Sequence, residues 1–202
     1  MKDCCEANEE TEKMHGELSR VLKIVFVINA LMFVFEFSMG LYAHSTSLLS
    51  DSLDMFGDAL VYGLSLYVLH RSDRLKAKVS FLKGILIGLA GLVIVIEAVY
   101  KMFSDVIPMA EVIGWVAICA FITNGVCVLL IRKYREGDLN MRSAYICSRN
   151  DMISNIGVIG AGVLVGFTHS KWPDIIVGLI IAVLFFRSAW PIFRDSILAL
   201  RE

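Results

Sequence analysis

Three aspartates, Asp51, Asp54 and Asp58, lie in a stretch that otherwise resembles a membrane-spanning helix. An α-helix advances about 100° per residue, so these three side chains share one face of a helix. Ionised carboxylates are costly at bilayer depth and repel one another, so such a face must point into a helix bundle or an aqueous cavity, usually with a cation. The stretch therefore predicts a cation site inside a membrane.

A second polar group has the same spacing. Cys147 and Asp151 are four residues apart, as are Asp54 and Asp58, so each pair projects from one helix face. Two helices that each offer such a pair can enclose one cation with four ligands, the number that zinc and its heavier congener cadmium prefer. A thiolate favours Zn²⁺ or Cd²⁺ over Mn²⁺ and Mg²⁺, whereas the carboxylates leave Fe²⁺ and Co²⁺ open.

Four further polar residues are candidates for an outer shell or an ion pathway. Asp51 lies one turn from Asp54 towards the predicted external end, and Asn155 lies one turn beyond Asp151. Glu36 in the first apolar run is either a proton-linked partner of the aspartates or a buried glutamic acid held by hydrogen bonds. His44 at the first turn is either an aid to cation release or a polar end group.

The first twenty residues form a polar, acidic segment that contains Cys4, Cys5 and His15. Thiols and an imidazole bind soft metals, so this segment is a candidate metal-capturing arm. Adjacent cysteines have strained geometry for binding one ion, and His15 is ten residues away. A flexible, solvated tail with incidental thiols is the alternative.

The elements that position these residues are long apolar runs. The composition is 57% hydrophobic, and a helix of about 20 apolar residues crosses a bilayer core. Alternating ten-residue segments typical of a transmembrane barrel are absent from the sequence. We predict an all-α polytopic membrane protein with a polar tail (1–20), a six-helix transmembrane domain (21–190) and a short C-terminal tail (191–202). The predicted spans are Val21–Tyr42, Ser47–Leu69, Gly84–Phe103, Val112–Ile131, Ala144–Phe167 and Ile175–Trp190.

Charge distribution predicts the orientation. Lysine and arginine concentrate in the N-terminal segment, the second and fourth loops and the C-terminus, so both termini are expected in the cytoplasm. Nearly twenty polar residues precede the first apolar run, which excludes a secretory signal peptide. No basic groove with interleaved aromatic residues exists, so nucleic acid is not an expected partner. We expect a multi-pass protein of the cell's inner (plasma) membrane.

Two segments together resemble the signatures of the cation diffusion facilitator family of divalent-metal transporters. The first is Ser45-x-x-Leu48-Leu49-x-Asp51-x-x-Asp54-x-x-x-Asp58, and the second runs from Asn140 through Cys147 and Asp151 to Val158. Other matches in place and order are Asn29, Glu36, Gly40, Asn124 and Trp172-Pro173-Asp174. In that family the position of Cys147 is usually histidine. Members usually continue into a cytoplasmic metal-binding domain, so the resemblance implies either a naturally short member that lacks it or a truncated chain.

The resemblance implies export of a divalent cation, Zn²⁺ or Cd²⁺, coupled to inward protons by alternating access in a homodimer. Asp54, Asp58, Cys147 and Asp151 would be the metal ligands. The expected partners are the transported metal, membrane lipids and a second copy of the chain, with no cofactor. The alternatives are an Fe²⁺ or Co²⁺ exporter of the same family, a non-transporting partner subunit, and a membrane thiol redox enzyme using Cys147.

Overall fold

A computed structural model describes residues 2–68, 73–133 and 139–201 of the chain. For part of these residues only the backbone is described. They are residues 2–18, 61–62, 64–68, 73–80, 83, 139–144, 146–147, 188, 191–193, 195–196 and 198–201. The predicted ligands Cys4, Cys5, His15 and Cys147 belong to this group, so their side chains lie outside the description.

The described chain consists of six α-helices joined by short connections, and none of its described residues lies in a β-strand. The turn between the first two helices is formed by His44 and Ser45, which requires these helices to run antiparallel as neighbours. The predicted all-α fold with six helices is thereby confirmed. The helices are α1 (Lys2–Ala43), α2 (Thr46–Val68), α3 (Asp73–Met102), α4 (Ala110–Arg132), α5 (Leu139–Thr168) and α6 (Trp172–Arg201).

Helix α2, which carries the three aspartates, is central in the bundle because it contacts every other helix. The remaining packing is dominated by α3 against α6 and by α4 against α5. A buried core joins all six helices through one apolar residue or more from each, with Ala43 as the buried member from α1. Representative members, all at most 3% exposed, are Leu48, Ile94, Ile113, Val158 and Ile181.

The distribution of polar and apolar residues is the reverse of that in soluble proteins. Large apolar side chains lie on the outside, among them Leu31 at 66%, Trp115 at 71% and Phe167 at 82% exposed. Charged and amide side chains lie inside, where soluble proteins rarely bury them. The buried set includes Asn29, Glu36, Asp51, Asp58, Asn124, Asp151, Asn155 and Asp174.

Such a surface suits hydrocarbon, since lipid-facing positions must be apolar and ionisable groups must face the bundle interior. Four segments of the described chain are long and apolar enough to cross a membrane: Ser19–Ala43, Gly84–Met102, Ala110–Arg132 and Ser148–Thr168. The chain is therefore a multi-pass membrane protein, as predicted. The cytoplasmic position of both termini stays a prediction.

The helices extend beyond the predicted spans. α1 begins at Lys2 within the predicted tail, and α3 begins at Asp73 within the predicted second loop. α6 continues past Pro191 to Arg201. The reason is that hydropathy marks the part of a helix at membrane depth, whereas a polar sequence without strong stop signals continues the helix into water.

Candidate metal site

The aspartates of α2 lie inside the bundle, as a stripe of ionisable residues requires. Asp51 is 1% exposed and Asp58 is 7% exposed, while Asp54 is partly exposed. Helical periodicity places all three on one face, and their interaction partners lie on α1, α5 and α4. Ser45 caps the start of this helix, since its hydroxyl accepts a hydrogen bond from the Leu48 N–H.

The carboxyl groups of Asp54 on α2 and Asp151 on α5 are in hydrogen-bonding contact. Asp151 is 7% exposed, so this contact lies within the bundle. Two carboxyl groups in contact repel each other when both are ionised, so a shared proton or a bound cation would stabilise the pair. Chemically, this is a place where a metal ion and a proton compete for the same oxygen atoms.

Asp58 lies one turn along α2 from Asp54 and interacts electrostatically with Cys127 of α4. Cys127 is fully buried among Val25 and Ile131 and packs as a small apolar side chain. Asn29 of α1 closes this level of the bundle, since its amide nitrogen donates to the Val25 carbonyl over 2.9 Å and contacts the Cys127 sulfur at 4.0 Å. Asp58 therefore lies against the α1–α4 side of the bundle.

Cys147 lies in the helical backbone of α5, one turn from Asp151, and its side chain is outside the description. Within the described side chains, no three His, Cys, Asp or Glu residues are close enough together to hold a metal ion. The described aspartates alone thus do not form a closed metal cage. The four-residue ligand set stays a prediction.

Glu36 of α1 and Asp51 of α2 form a second pair of facing carboxyl groups. Glu36 is fully buried, and its nearest charged neighbours are Asp51 and then Asp54. Both Glu36 oxygens and one Asp51 oxygen have no hydrogen-bond partner among the described residues. Both interpretations of Glu36, a proton-linked partner of the aspartates and a buried glutamic acid held by hydrogen bonds, stay predictions.

Two buried amide side chains also lack hydrogen-bond partners among the described residues. Asn124 of α4 and Asn155 of α5 are at most 1% exposed, and their side-chain nitrogen and oxygen atoms have no partner within the described part of the chain. Buried polar groups are nearly always satisfied by protein or by ordered water, so each such group needs an explanation. Ordered water in the bundle interior would supply the missing partners.

The remaining predicted residues lie away from this cluster. His44 is exposed in the α1–α2 turn, where its backbone has φ of 52° and its carbonyl oxygen accepts a hydrogen bond from Lys101. Cys4, Cys5 and His15 lie in the first part of α1, for which only the backbone is described. Metal capture by that segment stays a prediction.

A family model described as "Cation efflux transmembrane domain" matches residues 22–201. The chain belongs to this family. The match includes helices α2 to α6 and the apolar part of α1.

Individual members of the cation efflux family are similar over most of this chain. "Zinc transporter ZitB" of Yersinia pestis is 27% identical over 197 residues, which cover 91% of this chain and 63% of that protein. A "Cadmium, cobalt and zinc/H(+)-K(+) antiporter" of Bacillus velezensis is 28% identical, covering 93% and 64% respectively. "Metal cation efflux system protein CzcD" of Cupriavidus metallidurans is 24% identical, covering 93% and 63%. The chain thus spans somewhat less than two thirds of the length of these relatives.

The role of Asp174 in this protein is not the one that its position in the sequence suggests. The Pro173-Asp174 pair suggests that Asp174 favours the N-terminus of its own helix, α6. In the structure, the Asp174 carboxylate instead accepts hydrogen bonds from Ser45, Thr46 and Ser47 at the start of α2. The serines at that turn were the available signal of this contact. Serine is preferred at helix N-termini, where a carboxylate from another helix can also accept hydrogen bonds.

Proposed function

We propose that the chain is a secondary active exporter of divalent transition-metal cations, with Zn²⁺ or Cd²⁺ as substrate and inward protons as the driving force. The observation that carries the proposal is the contact between Asp54 of α2 and Asp151 of α5 inside a bundle with an apolar exterior. Both the family match and the names of the relatives support this proposal.

Proton coupling follows from the chemistry of the ligands. Carboxylates and thiolates bind a metal only after losing their protons, so metal binding releases protons and proton binding displaces the metal. A metal ion and a proton cannot occupy the Asp54–Asp151 contact at the same time. A protein that presents this contact alternately to each side of the membrane exchanges one cargo for the other.

Asp58 and Cys147 complete the proposed ligand set, each one helical turn from a member of the central pair. The thiolate of Cys147 would bias the site towards the softer ions Zn²⁺ and Cd²⁺, and three carboxylates keep Fe²⁺ and Co²⁺ as competing substrates. Asp51, Glu36 and Asn155 would form the path between this site and the turn at His44.

The proposed setting is the inner membrane of the cell, with both termini in the cytoplasm and a second copy of the chain as partner. Positive charge in the second and fourth loops supports this orientation. The wide apolar exterior supplies lipid-facing and copy-facing surface alike.

The decisive experiment measures Zn²⁺ and Cd²⁺ uptake by the purified chain in proteoliposomes with an imposed pH gradient. Uptake that depends on the gradient and is lost in Asp58→Ala supports the proposal. Transport by Asp58→Ala at the unaltered rate would contradict the assignment of the site. A chain that binds the metal yet moves none alone would support the partner-subunit alternative.

A further inference from the structure

The first turn of α2 has a complete set of hydrogen-bond partners, half of them supplied by α6. A helix start leaves four backbone N–H groups without partners inside the helix. The Ser45 N–H donates to the Gly40 carbonyl over 3.0 Å, and the Ser45 hydroxyl accepts from the Leu48 N–H over 3.1 Å. The N–H groups of Thr46 and Ser47 donate to the Asp174 carboxylate of α6 over 2.7 and 3.1 Å.

Two hydroxyls complete the surroundings of this carboxylate. Ser45 Oγ donates to Asp174 Oδ1 over 2.6 Å, and Ser47 Oγ donates to the same oxygen over 2.5 Å. Asp174 is 0% exposed, so these contacts are fully removed from solvent. Charge-assisted hydrogen bonds of this kind are about twice as strong as neutral ones, and a negative charge at a helix N-terminus is further stabilised by the helix dipole.

Lys101 of α3 makes the complementary contact on the other side of the same turn. Its ammonium donates to the His44 carbonyl over 2.5 Å, directly after the C-terminus of α1, where a positive charge is favoured. Lys101 is 7% exposed, forms an ion pair with Glu97 at 3.5 Å and interacts electrostatically with Asp174. The α3–α6 pair thus holds the α1–α2 turn from both sides.

Backbone packing reinforces the contact between α2 and α6. A Cβ atom added at Gly178 would lie 2.7 Å from Thr46 Cγ2 and 3.1 Å from the Thr46 backbone, so only glycine permits this approach. One turn further along α2, Ser50 Oγ donates to the Gly178 carbonyl over 3.2 Å. The start of α2 is therefore fixed against α6 both by charge and by shape.

We infer that Asp174 is a positioning residue for the transport site. By fixing the start of α2 against α6, it sets the level along the bundle at which Asp54 meets Asp151 of α5. Metal–ligand distances tolerate deviations of only about 0.2 Å, so a small axial shift of α2 would weaken metal binding. This inference rests on the proposed function, because it concerns the same site.

The variant Asp174→Asn provides the test. All four contacts to the carboxylate come from donors, so an amide nitrogen in place of either oxygen would face an N–H or O–H donor. We expect the apparent KM for Zn²⁺ uptake in proteoliposomes to rise about tenfold, the change expected from one lost charge-assisted hydrogen bond. Hydrogen exchange of the backbone amides of Thr46 and Ser47 should also become faster.

Lys171→Ala is the matched control. Lys171 belongs to the same end of the bundle, but its ammonium donates to the carbonyl oxygens of Met102 and Ser104 in the α3–α4 connection. This variant should leave both the apparent KM for Zn²⁺ and the exchange of the α2 amides unchanged. Asp174→Glu, which keeps two acceptor oxygens, should recover part of the lost affinity.

A merely structural role for Asp174 would lower the amount of active protein, and hence the maximal rate, with an unchanged apparent KM. That result would overturn the inference. If Asp174→Asn does not fold, Ser47→Ala removes one hydroxyl donor and leaves the carboxylate; it should shift KM in the same direction by a smaller factor. Unchanged KM and unchanged exchange in Ser47→Ala would likewise overturn it. Absence of Zn²⁺ uptake by the unaltered protein would contradict the proposed function instead.

Discussion

The carboxyl groups of Asp54 on α2 and Asp151 on α5 are in hydrogen-bonding contact within the helix bundle. Their helices are far apart in the chain, and the central position of α2 brings them together. Because both groups are acids, the contact is stable only when a proton or a cation reduces their repulsion. This contact is the point from which the transport predictions start.

Replacing either carboxylate by its amide should abolish metal transport. Asp54→Asn and Asp151→Asn keep the size of the side chain but remove a charged ligand, so Zn²⁺ uptake in proteoliposomes should fall by about a hundredfold or more. Asp105→Asn, in the exposed α3–α4 connection, is the matched control and should transport at the unaltered rate. Transport by Asp151→Asn within a factor of about two of the control would exclude Asp151 as a ligand.

Cys147→Ser should weaken transport and shift selectivity away from soft metals. A serine hydroxyl stays protonated and binds Cd²⁺ much less well than a thiolate, so the ratio of Cd²⁺ to Zn²⁺ uptake should fall about tenfold or more. Cys147→His should favour Zn²⁺ instead. The exposed Cys119 offers the control Cys119→Ser, for which the ratio should not change. A constant ratio in both Cys147 variants would remove it from the ligand set.

Metal binding should weaken as the pH falls. Each ligand proton released on binding lowers the apparent affinity about tenfold per unit of decreasing pH, in the range where that ligand is protonated in the free protein. Calorimetric titrations with Zn²⁺ in two buffers of different ionisation enthalpy would count the released protons. Release of at least one proton is expected for a metal–proton exchanger, and affinity independent of pH between about 6 and 8 would contradict coupling at this site.

Gly178→Ala should destabilise the contact between α2 and α6. The added methyl group would overlap Thr46, and overpacking of this kind costs about 1–3 kcal/mol. Thermal unfolding in detergent should therefore show a Tm lower by several degrees. Gly88→Ala on α3 is the control, since a Cβ at that position meets nothing within 4 Å. Equal Tm values for the two variants would show that the close approach of the helices carries little stability.

Much of the fold could be predicted because hydrocarbon imposes simple rules on sequence. Apolar runs of the right length gave the six helices, and the rarity of carboxylates at membrane depth singled out Asp51, Asp54 and Asp58. Helix ends were missed at Lys2, Asp73 and Arg201, since polar helical extensions carry no hydropathy signal.

The role of Asp174 could not be read from the sequence for a different reason. Its partners at Ser45–Ser47 lie on another helix, and no local spacing links the two segments. The same applies to Lys101: the sequence places it four residues after Glu97, whereas its contact with His44 depends on how α3 packs. Tertiary caps become predictable only once the neighbours of each helix are known.

The contacts of Asp174 and Lys101 hold the α1–α2 turn in place, so Thr46 is the pivot, that is, the fixed point about which α2 would tilt. At a rise of about 1.5 Å per residue, Asp51 lies about 7.5 Å and Asp58 about 18 Å from that pivot. A tilt of about 10° would move Asp51 by about 1.3 Å but Asp58 by about 3 Å. A single small rotation could therefore detach the far ligand from a metal ion while the residues near the pivot keep their places.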